Sequence, residues 1–317
     1  AMKMMNRICS NNIDVANDKI VYTQWLNERG GIEADVTITR LAADKFLIIS
    51  GVTCKTRDLA WLRRNKQDDE FVVITDLSSA YAVITVMGPK SRDTIQKITD
   101  ADMSNEAFPF AASKEIDAHY ALVRASRITY VGELGWELYI PTEFAPSVFE
   151  AIMEAGEEFG IKPYGYHTMN SLRMEKCYRH WGHDITDEDT VLEAGLSFAS
   201  DFEKEGGFIG KEALLEQKAK GPLTKRFVAF VFENPEPLCY HEEPIWADGK
   251  IVGRTTAGMF CHSVGATVAM GYVERPEGVV KDWLDSAHFE IEVECERYTV
   301  KPSLRSVFDP AMEKIKC

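Results

Sequence analysis

Residues 22–39 read YTQWLNERGGIEADVTIT, and this stretch organises the interpretation of the chain. Its first half is polar and ends in a glycine pair, whereas Val36 and Ile38 then alternate with threonines. Alternation of this kind behind two glycines predicts a turn that leads into a half-buried β-strand. Asp35 would then lie at the start of a strand, where its carboxylate is held rigidly and can face a cleft.

Two interpretations of Asp35 follow from these residues. An aspartate beside glycine most often caps a turn. A role in ligand binding is the alternative, because Tyr22 and Trp25 offer flat aromatic faces nearby and the glycines let backbone approach closely. The stretch alone leaves both interpretations open.

Length and composition limit the classes of function. A chain of 317 residues predicts two or three domains, and 45% hydrophobic with 27% charged residues is typical of a globular protein. No apolar run approaches the ~18 residues of a membrane span, and no signal peptide opens the chain, so we predict a cytoplasmic protein with no membrane partner. The formal net charge of −14 argues against a nucleic-acid partner, although a single Arg or Lys would suffice for a small anion.

The residues most suggestive of a metal do not complete a site. His180 and His183 are three residues apart, with Gly182 between them and Asp184 next, which is not the helical i, i+4 pair. No third ligand is evident, and the seven cysteines include no Cys-x-x-Cys pair. We predict neither a metal site nor a disulfide framework.

Strands and helices are interspersed without a regular βαβ rhythm, which favours an α+β fold over a doubly wound sheet. Strands are predicted at residues 45–51, 71–76 and 81–89, and helices at residues 57–65, 143–159 and 168–178. From Arg226 onward short strands dominate, with a hairpin at Asp248-Gly249, and their spacing predicts a small β-barrel. The expected domains are therefore residues 1–222 and residues 223–317.

A second carboxylate resembles Asp35 in its setting. Glu137 follows a glycine turn on a predicted strand, where Trp136 and Leu138 point to the opposite face. Two such carboxylates suit a flat ligand with a protonated, amidine-like edge. An exposed strand residue is the alternative for Glu137. Nucleotide-binding and serine-hydrolase motifs are absent from the sequence.

Several separated motifs resemble one family. The chain is similar to the aminomethyltransferase (glycine-cleavage T-protein) fold family, and especially to the C-terminal tetrahydrofolate-binding part of dimethylglycine and sarcosine dehydrogenases. The resemblance covers nearly the whole chain and rests on residues 22–39, Gly132-Glu133-x-Gly135-x-Glu137, the run at residues 171–176, Trp181-Gly182-His183-Asp184, residues 253–258 and Phe308-Asp309-Pro310.

This resemblance implies a cofactor and roles for particular residues. The cofactor would be tetrahydrofolate, with no flavin in this chain. Asp35 matches the catalytic aspartate near folate N10, and Glu137 matches the glutamate that pairs with the 2-amino and N3 edge of the pteridine. The other residues that the resemblance assigns to folate binding are Tyr22, Tyr130, Arg173 and Trp181.

Three departures place the chain within the family. Ala34 stands where glycine-cleavage enzymes have a second Asp. Gly51 replaces an Asn and Met169 replaces an Arg, and both of these changes are similar to the dehydrogenase branch. We expect this chain to lack the flavin domain of that branch. The resemblance also implies a folate domain shortened at its N-terminus by roughly 50–70 residues, a length typical of several elements.

The leading hypothesis is a tetrahydrofolate-dependent one-carbon transferase module. An amine or aminomethyl donor would yield 5,10-methylenetetrahydrofolate and an amine. One alternative is a folate-binding module without chemistry, or a subunit of a separate flavoprotein amine dehydrogenase. A folate-dependent demethylase is a further alternative.

Overall fold

The computed structural model describes residues 1–317. Helices and strands are mixed along the first two thirds of the chain, and strands predominate after it. The helices are α1 (Met2–Ile8), α2 (Lys55–Asn65), α3 (Ser91–Gln96), α4 (Ala145–Gly156), α5 (Tyr166–Glu175), α6 (Lys211–Ala219), α7 (Lys281–Ser286) and α8 (Glu313–Lys316). The strands are β1 (Ile20–Leu26), β2 (Ile32–Ala42), β3 (Lys45–Ile49), β4 (Tyr81–Met87), β5 (Ser113–Ala118), β6 (Ala121–Ser126), β7 (Gly135–Pro141), β8 (Lys225–Phe232), β9 (Pro244–Ala247), β10 (Lys250–Cys261), β11 (Ala266–Glu274), β12 (Phe289–Val293) and β13 (Glu296–Ser303).

The strands form two open antiparallel sheets and one barrel. The first sheet has the order β1-β2-β3, the second has the order β4-β7-β6-β5, and six strands close a barrel in the order β10-β11-β8-β13-β12-β9. The predicted α+β class and the C-terminal barrel are confirmed. Because the barrel strands begin at Lys225, we propose the division into residues 1–222 and 223–317.

β2 has one apolar and one polar face because its side chains alternate. Val36 and Ile38 are buried in a core that they share with Trp25 of β1. On the other face, Asp35 lies opposite Gln24 in the β1–β2 ladder. The predicted half-buried strand is confirmed, and the sheet register selects the neighbour of Asp35.

The glycine pair before β2 has a steric reason. Gly30 has a φ of +85°, a conformation that L side chains rarely adopt. The backbone N–H of Gly31 donates to Asn27 Oδ1 at 3.0 Å, and a Cβ at Gly31 would lie 1.9 Å from the carbonyl oxygen of Asp187. The turn therefore packs directly against the backbone that precedes the barrel.

Replacing Gly31 should destabilise the fold. We expect Gly31→Ala to lower the free energy of unfolding by about 1–3 kcal/mol, because the new methyl group displaces the backbone at Asp187. Denaturant unfolding measures this change. Gly51→Ala is the matched control, since Gly51 has a φ of −60° and its Cβ would meet only Cys54 Sγ at 3.7 Å. Equal stability of the two variants would contradict the prediction.

The second sheet packs one of its faces into a hydrophobic core. Trp136, Leu138 and Ile140 of β7 lie in a core together with Phe108. Since side chains alternate along a strand, Glu137 faces the other side, as predicted.

The turn between β9 and β10 of the barrel is the hairpin predicted at Asp248-Gly249. β9 and β10 are joined by Asp248 and Gly249, which have φ values of 49° and 76°. Two consecutive residues with positive φ are typical of the tight turn that fits the right-handed twist of a hairpin. The predicted hairpin at this dipeptide is confirmed.

One predicted strand is wrong. Residues 71–76 form no regular secondary structure and pair with no strand, and Phe71 and Val73 are 98% and 80% exposed. Val72 and Ile74 pack against the core of the first sheet. Alternating burial is therefore present without a hydrogen-bonding partner, and the sequence pattern reports only the burial.

Every helix of the protein is too short or too polar to span a membrane.

Candidate functional site

Asp35 lies on the polar face of β2 among polar neighbours. Gln24 Nε2 donates to Asp35 Oδ1 at 2.9 Å. Burial raises the pKa of Asp35 to about 6, while the hydrogen bond from Gln24, the nearby Tyr22 hydroxyl and the charge of Arg179 oppose the rise. A carboxyl with this pKa can be either a charge or a proton donor near neutral pH.

Gln24 has an unused acceptor at the same place. Its Oε1 is buried and has no hydrogen-bond partner in the protein. A buried amide oxygen without a partner is costly, so its presence beside Asp35 indicates a position for an N–H or O–H of a ligand. Gln24 was not singled out from the sequence, although it lies in the quoted stretch.

Two tyrosines extend this cluster. The Tyr130 hydroxyl donates to the backbone oxygen of Arg179 at 3.0 Å, and its ring stacks on Tyr178 with centroids 6.1 Å apart. Burial, followed by smaller effects that include the Asp35 charge for both rings, raises the pKa of Tyr22 and of Tyr130. The structure thus brings Tyr22 and Tyr130 together with Asp35, as uncharged phenols.

Arg179 supplies a positive charge to the cluster that the sequence did not reveal. Its Nε and Nη2 donate to the backbone oxygen of Ala194, and its Nη1 donates to that of Cys177. Carbonyls hold the guanidinium without neutralising it, and it lowers the pKa of Asp35 against the larger effect of burial. The only sequence signal was its position next to Tyr178 and His180.

Arg173 is held by a buried network. Its Nη1 donates to Asp184 Oδ2 and to the backbone oxygen of Tyr178, and its Nε donates to Asn170 Oδ1 at 2.7 Å. The side chains of Arg173 and Asp184 are 3% and 0% exposed. Thr256 of the barrel strand β10 donates to Asp184 Oδ1 at 2.6 Å. Arg173, Asp184 and Thr256, each of which lies in a motif that resembles the family, therefore link α5, the loop that follows it and the barrel.

Trp181 lies against β2 on the side of the glycine turn. Its Nε1 donates to the backbone oxygen of Ile32 at 2.8 Å. The guanidinium of Arg57 lies over its ring, 4.2 Å from the centroid, and Arg57 is paired with Glu33. The indole is thus held at Ile32, which lies three residues before Asp35 on β2, and the Arg57 guanidinium covers one face of the ring.

Glu137 is the predicted site residue that stands apart. It lies on the second sheet, where the Tyr139 hydroxyl donates to its Oε2. Burial raises the pKa of Glu137, and Tyr139 is the only neighbour that acts against this rise. No hydrogen bond or ion pair joins Glu137 to Asp35, so the structure does not bring the two carboxylates into contact.

A cavity lies against β4 of the second sheet, and no residue of the first sheet lines it. Thr85 lies opposite Glu137 in the β4–β7 ladder and lines a cavity of about 370 Å³, with its hydroxyl 2.6 Å from that of Tyr164. Tyr166 lines the same cavity and contributes to the raised pKa of Tyr130. Apolar side chains form most of the remaining lining, as is common in pockets for flat organic ligands.

The His180 and His183 rings lie 4.6 Å apart in the loop that follows α5. Burial, and then the neighbouring His183 and Arg173, lower the pKa of His180. Asp184 is fully engaged by Arg173, Thr256 and the backbone N–H of His180. These contacts give the His-x-x-His-Asp run a place in the hydrogen-bond network of the loop.

The raised pKa of Asp35 predicts a pH-dependent cost in stability. Below its usual pKa of 3.8 the carboxyl is protonated in both states. Between about pH 3.8 and 6 only the unfolded chain releases the proton, so stability falls over this range, and above about pH 6 the folded protein carries the full cost of a buried charge. We expect Asp35→Asn to raise the free energy of unfolding by about 1–3 kcal/mol at about pH 8, and to leave it unchanged at about pH 3.5. Denaturant unfolding at both pH values measures this, and destabilisation at about pH 8 would contradict it.

The fold and the cluster together define a class of protein with a mixed α+β region, a closed barrel and a carboxylate on a polar sheet face. A family model described as "GCVT N-terminal domain" matches residues 1–204, and one described as "Glycine cleavage T-protein C-terminal barrel domain" matches residues 225–309. The chain belongs to the glycine cleavage T-protein family. The resemblance found in its motifs is therefore confirmed.

Individual relatives agree with this membership. The chain is 37% identical over 316 residues to 4-methylaminobutanoate oxidase (formaldehyde-forming) of Paenarthrobacter nicotinovorans. This alignment covers 100% of this chain and 37% of that protein. It is 37% identical over 312 residues to mitochondrial sarcosine dehydrogenase of Homo sapiens, covering 93% of this chain and 34% of that protein. The chain thus spans little more than a third of the length of these relatives.

A solved structure shows the same fold. The glycine cleavage system aminomethyltransferase T from Bartonella henselae matches with a TM-score of 0.82 and 24% identity, over 96% of this chain and 80% of that one.

Proposed function

We propose that this chain is a tetrahydrofolate-dependent one-carbon transferase module that forms 5,10-methylenetetrahydrofolate and releases an amine. The observation that carries the proposal is Asp35, a carboxyl with a raised pKa beside a buried acceptor that lacks a partner. Membership in the glycine cleavage T-protein family and the aminomethyltransferase fold support it.

The polar atoms available in the protein suit a reduced pteridine. Such a ring carries several N–H donors, and Gln24 Oε1 and the Asp35 carboxylate are acceptors side by side on the first sheet. Glu137, on the second sheet, would accept from the 2-amino and N3 edge that the resemblance assigns to it. Tyr22 and Tyr130 would line the ring, and Arg173 retains its Nη2 for a polar group of the ligand. Bound tetrahydrofolate would supply the two nitrogens that accept the carbon.

Asp35 would act on charge and on a proton. As a carboxylate it stabilises the cationic carbon of the donor, and with a pKa of about 6 it can exchange a proton with the folate N10 or with the departing amine. Arg179, fixed by carbonyl groups, limits the rise in the pKa of Asp35 and so keeps part of the population ionised at neutral pH.

The names of the relatives suggest the donor. Sarcosine and 4-methylaminobutanoate both carry an N-methylamine and a carboxylate. We therefore propose a donor of this class, oxidised to an iminium or aminomethyl species by a flavoprotein partner or domain. Since the chain spans about a third of these relatives, that oxidation belongs outside it.

The same limited coverage favours a second candidate, a folate-binding module that has no chemistry of its own. The chain would then hold tetrahydrofolate for a flavoprotein amine dehydrogenase that carries out the whole reaction.

Two measurements separate the candidates. Calorimetry with tetrahydrofolate tests binding, and formation of 5,10-methylenetetrahydrofolate from an amine-derived iminium donor, above the rate without protein, tests transfer. Binding with product supports the transferase, whereas binding without product supports the module. Absence of tetrahydrofolate binding would refute both.

A further inference from the structure

A cationic side chain contacts β2 two residues before Asp35 and has no role in the function proposed so far. Arg57, on the first turn of α2, donates to the backbone oxygen of Glu33 and pairs with its carboxylate. The same guanidinium lies over the ring of Trp181, whose indole N–H donates to the backbone oxygen of Ile32. Three separate segments thus fix one cation at the start of β2.

The position of this cation relative to Asp35 follows from strand geometry. Glu33 and Asp35 are two residues apart on β2, so their side chains leave the same face about 6–7 Å from each other. Because Arg57 pairs with the Glu33 carboxylate, its guanidinium lies on that face as well. A ligand with a positive charge at Asp35 and a negative charge a few bonds away would therefore meet Arg57 with its negative end.

Arg57 also has unused hydrogen-bonding capacity. A guanidinium has five N–H donors, and the structure uses two of them, both toward Glu33. Its side chain is 34% exposed, in contrast to the 3% of Arg173. Arg179 is taken up by backbone carbonyls. Of the three arginines around the site, Arg57 is the one placed to receive a carboxylate from solution.

We propose that Arg57, oriented by Glu33 and Trp181, is a carboxylate-binding subsite for the one-carbon donor. The inference rests on the proposed function and deepens it, because it assigns the acidic end of an N-methylated amino acid. Asp35 would face the cationic nitrogen and carbon, and Arg57 would bind the carboxylate with its planar N–H groups. A donor without a carboxylate would lose this contact.

Glu33 makes a distinctive prediction possible. Its Oε1 accepts from Asn27 Nδ2 at 3.2 Å, and its Oε2 accepts from Arg57. Glu33 therefore holds the guanidinium in place, but it also competes electrostatically with an incoming carboxylate. Removing the charge of Glu33 should therefore strengthen the binding of an acidic ligand. If the Glu33–Arg57 pair only stabilised the fold, the same substitution would not strengthen the binding of any ligand.

The test uses two stable probes with tetrahydrofolate present. N,N-dimethylglycine has a cationic nitrogen and a carboxylate, and trimethylamine has only the cation. We expect Arg57→Ala to raise the Kd for N,N-dimethylglycine by about 10- to 100-fold and to leave that for trimethylamine unchanged. Arg57→Lys should restore part of the affinity, and Glu33→Gln should lower the Kd for N,N-dimethylglycine by about 3- to 10-fold.

Folate itself carries carboxylates on its glutamyl tail, so a third arm compares tetrahydrofolate with tetrahydropteroate, which lacks that tail. If Arg57→Ala removes a preference for tetrahydrofolate and leaves N,N-dimethylglycine unaffected, the subsite serves the tail and the donor assignment is overturned. Equal weakening of both amine probes, or weakening by Glu33→Gln, would also overturn it. Thermal unfolding of each variant verifies that the fold is retained.

Failure of this inference differs from failure of the proposed function. If wild-type protein transfers the carbon but Arg57→Ala does not discriminate between the probes, only the subsite is refuted. If wild-type protein fails to bind tetrahydrofolate, the proposed function is refuted first.

Discussion

Asp35→Asn is expected to lower the rate of one-carbon transfer by about 100-fold or more while the Kd for tetrahydrofolate stays within a few-fold. The substitution keeps the volume of the side chain and an acceptor for Gln24 Nε2. It removes the negative charge and the group that can exchange a proton. Since both act on the reacting carbon and nitrogens, the loss should appear in kcat rather than in folate binding.

The measurement combines initial rates of 5,10-methylenetetrahydrofolate formation with calorimetry. Asp44→Asn is the control, because Asp44 is exposed in the turn between β2 and β3 and loses the same charge. In the wild type, the rate should fall as the pH drops through about 6, where Asp35 becomes protonated. Activity of Asp35→Asn equal to that of the Asp44 control would exclude Asp35 as the catalytic residue.

The second large effect concerns stability. Asp184→Asn is expected to lower the free energy of unfolding by about 3–5 kcal/mol, because it leaves the guanidinium of Arg173 buried without its counter-charge. The two side chains are 0% and 3% exposed, so solvent cannot replace the lost partner. Denaturant unfolding with an unchanged m-value measures the loss.

Two controls separate the charge from the hydrogen bonds. Thr256→Val removes one neutral donor to Asp184 and should cost only about 1 kcal/mol. Combining Asp184→Asn with Arg173→Met removes both charges, and the double variant should be less destabilised than the sum of the single variants. A loss below about 1 kcal/mol in Asp184→Asn alone would show that the pair is not essential to the fold.

Local chemistry made several features predictable. The glycine turn before β2, the polar face that carries Asp35, the opposite orientation of Trp136 and Glu137, and the hairpin at Asp248-Gly249 all follow from steric preferences or from the two-residue period of a strand. The structure confirms each of these.

Other features could not be predicted from the pattern of residue types along the sequence. Residues 71–76 alternate like a strand but pair with nothing, because pairing needs a second segment with a free edge. Arg179 acquires its place through carbonyl groups at Cys177 and Ala194, and no residue type or spacing marks such contacts in advance.

The amino-acid sequence by itself determined most of the element types and the face of each strand on which the two carboxylates lie, since these depend on neighbours a few residues away. Only the tertiary structure decided which groups meet: Gln24 with Asp35, Thr256 with Asp184, and Arg57 with Trp181. Contacts between distant segments arise from sheet register and from packing of whole elements, and the pKa of a carboxyl follows from the burial that results.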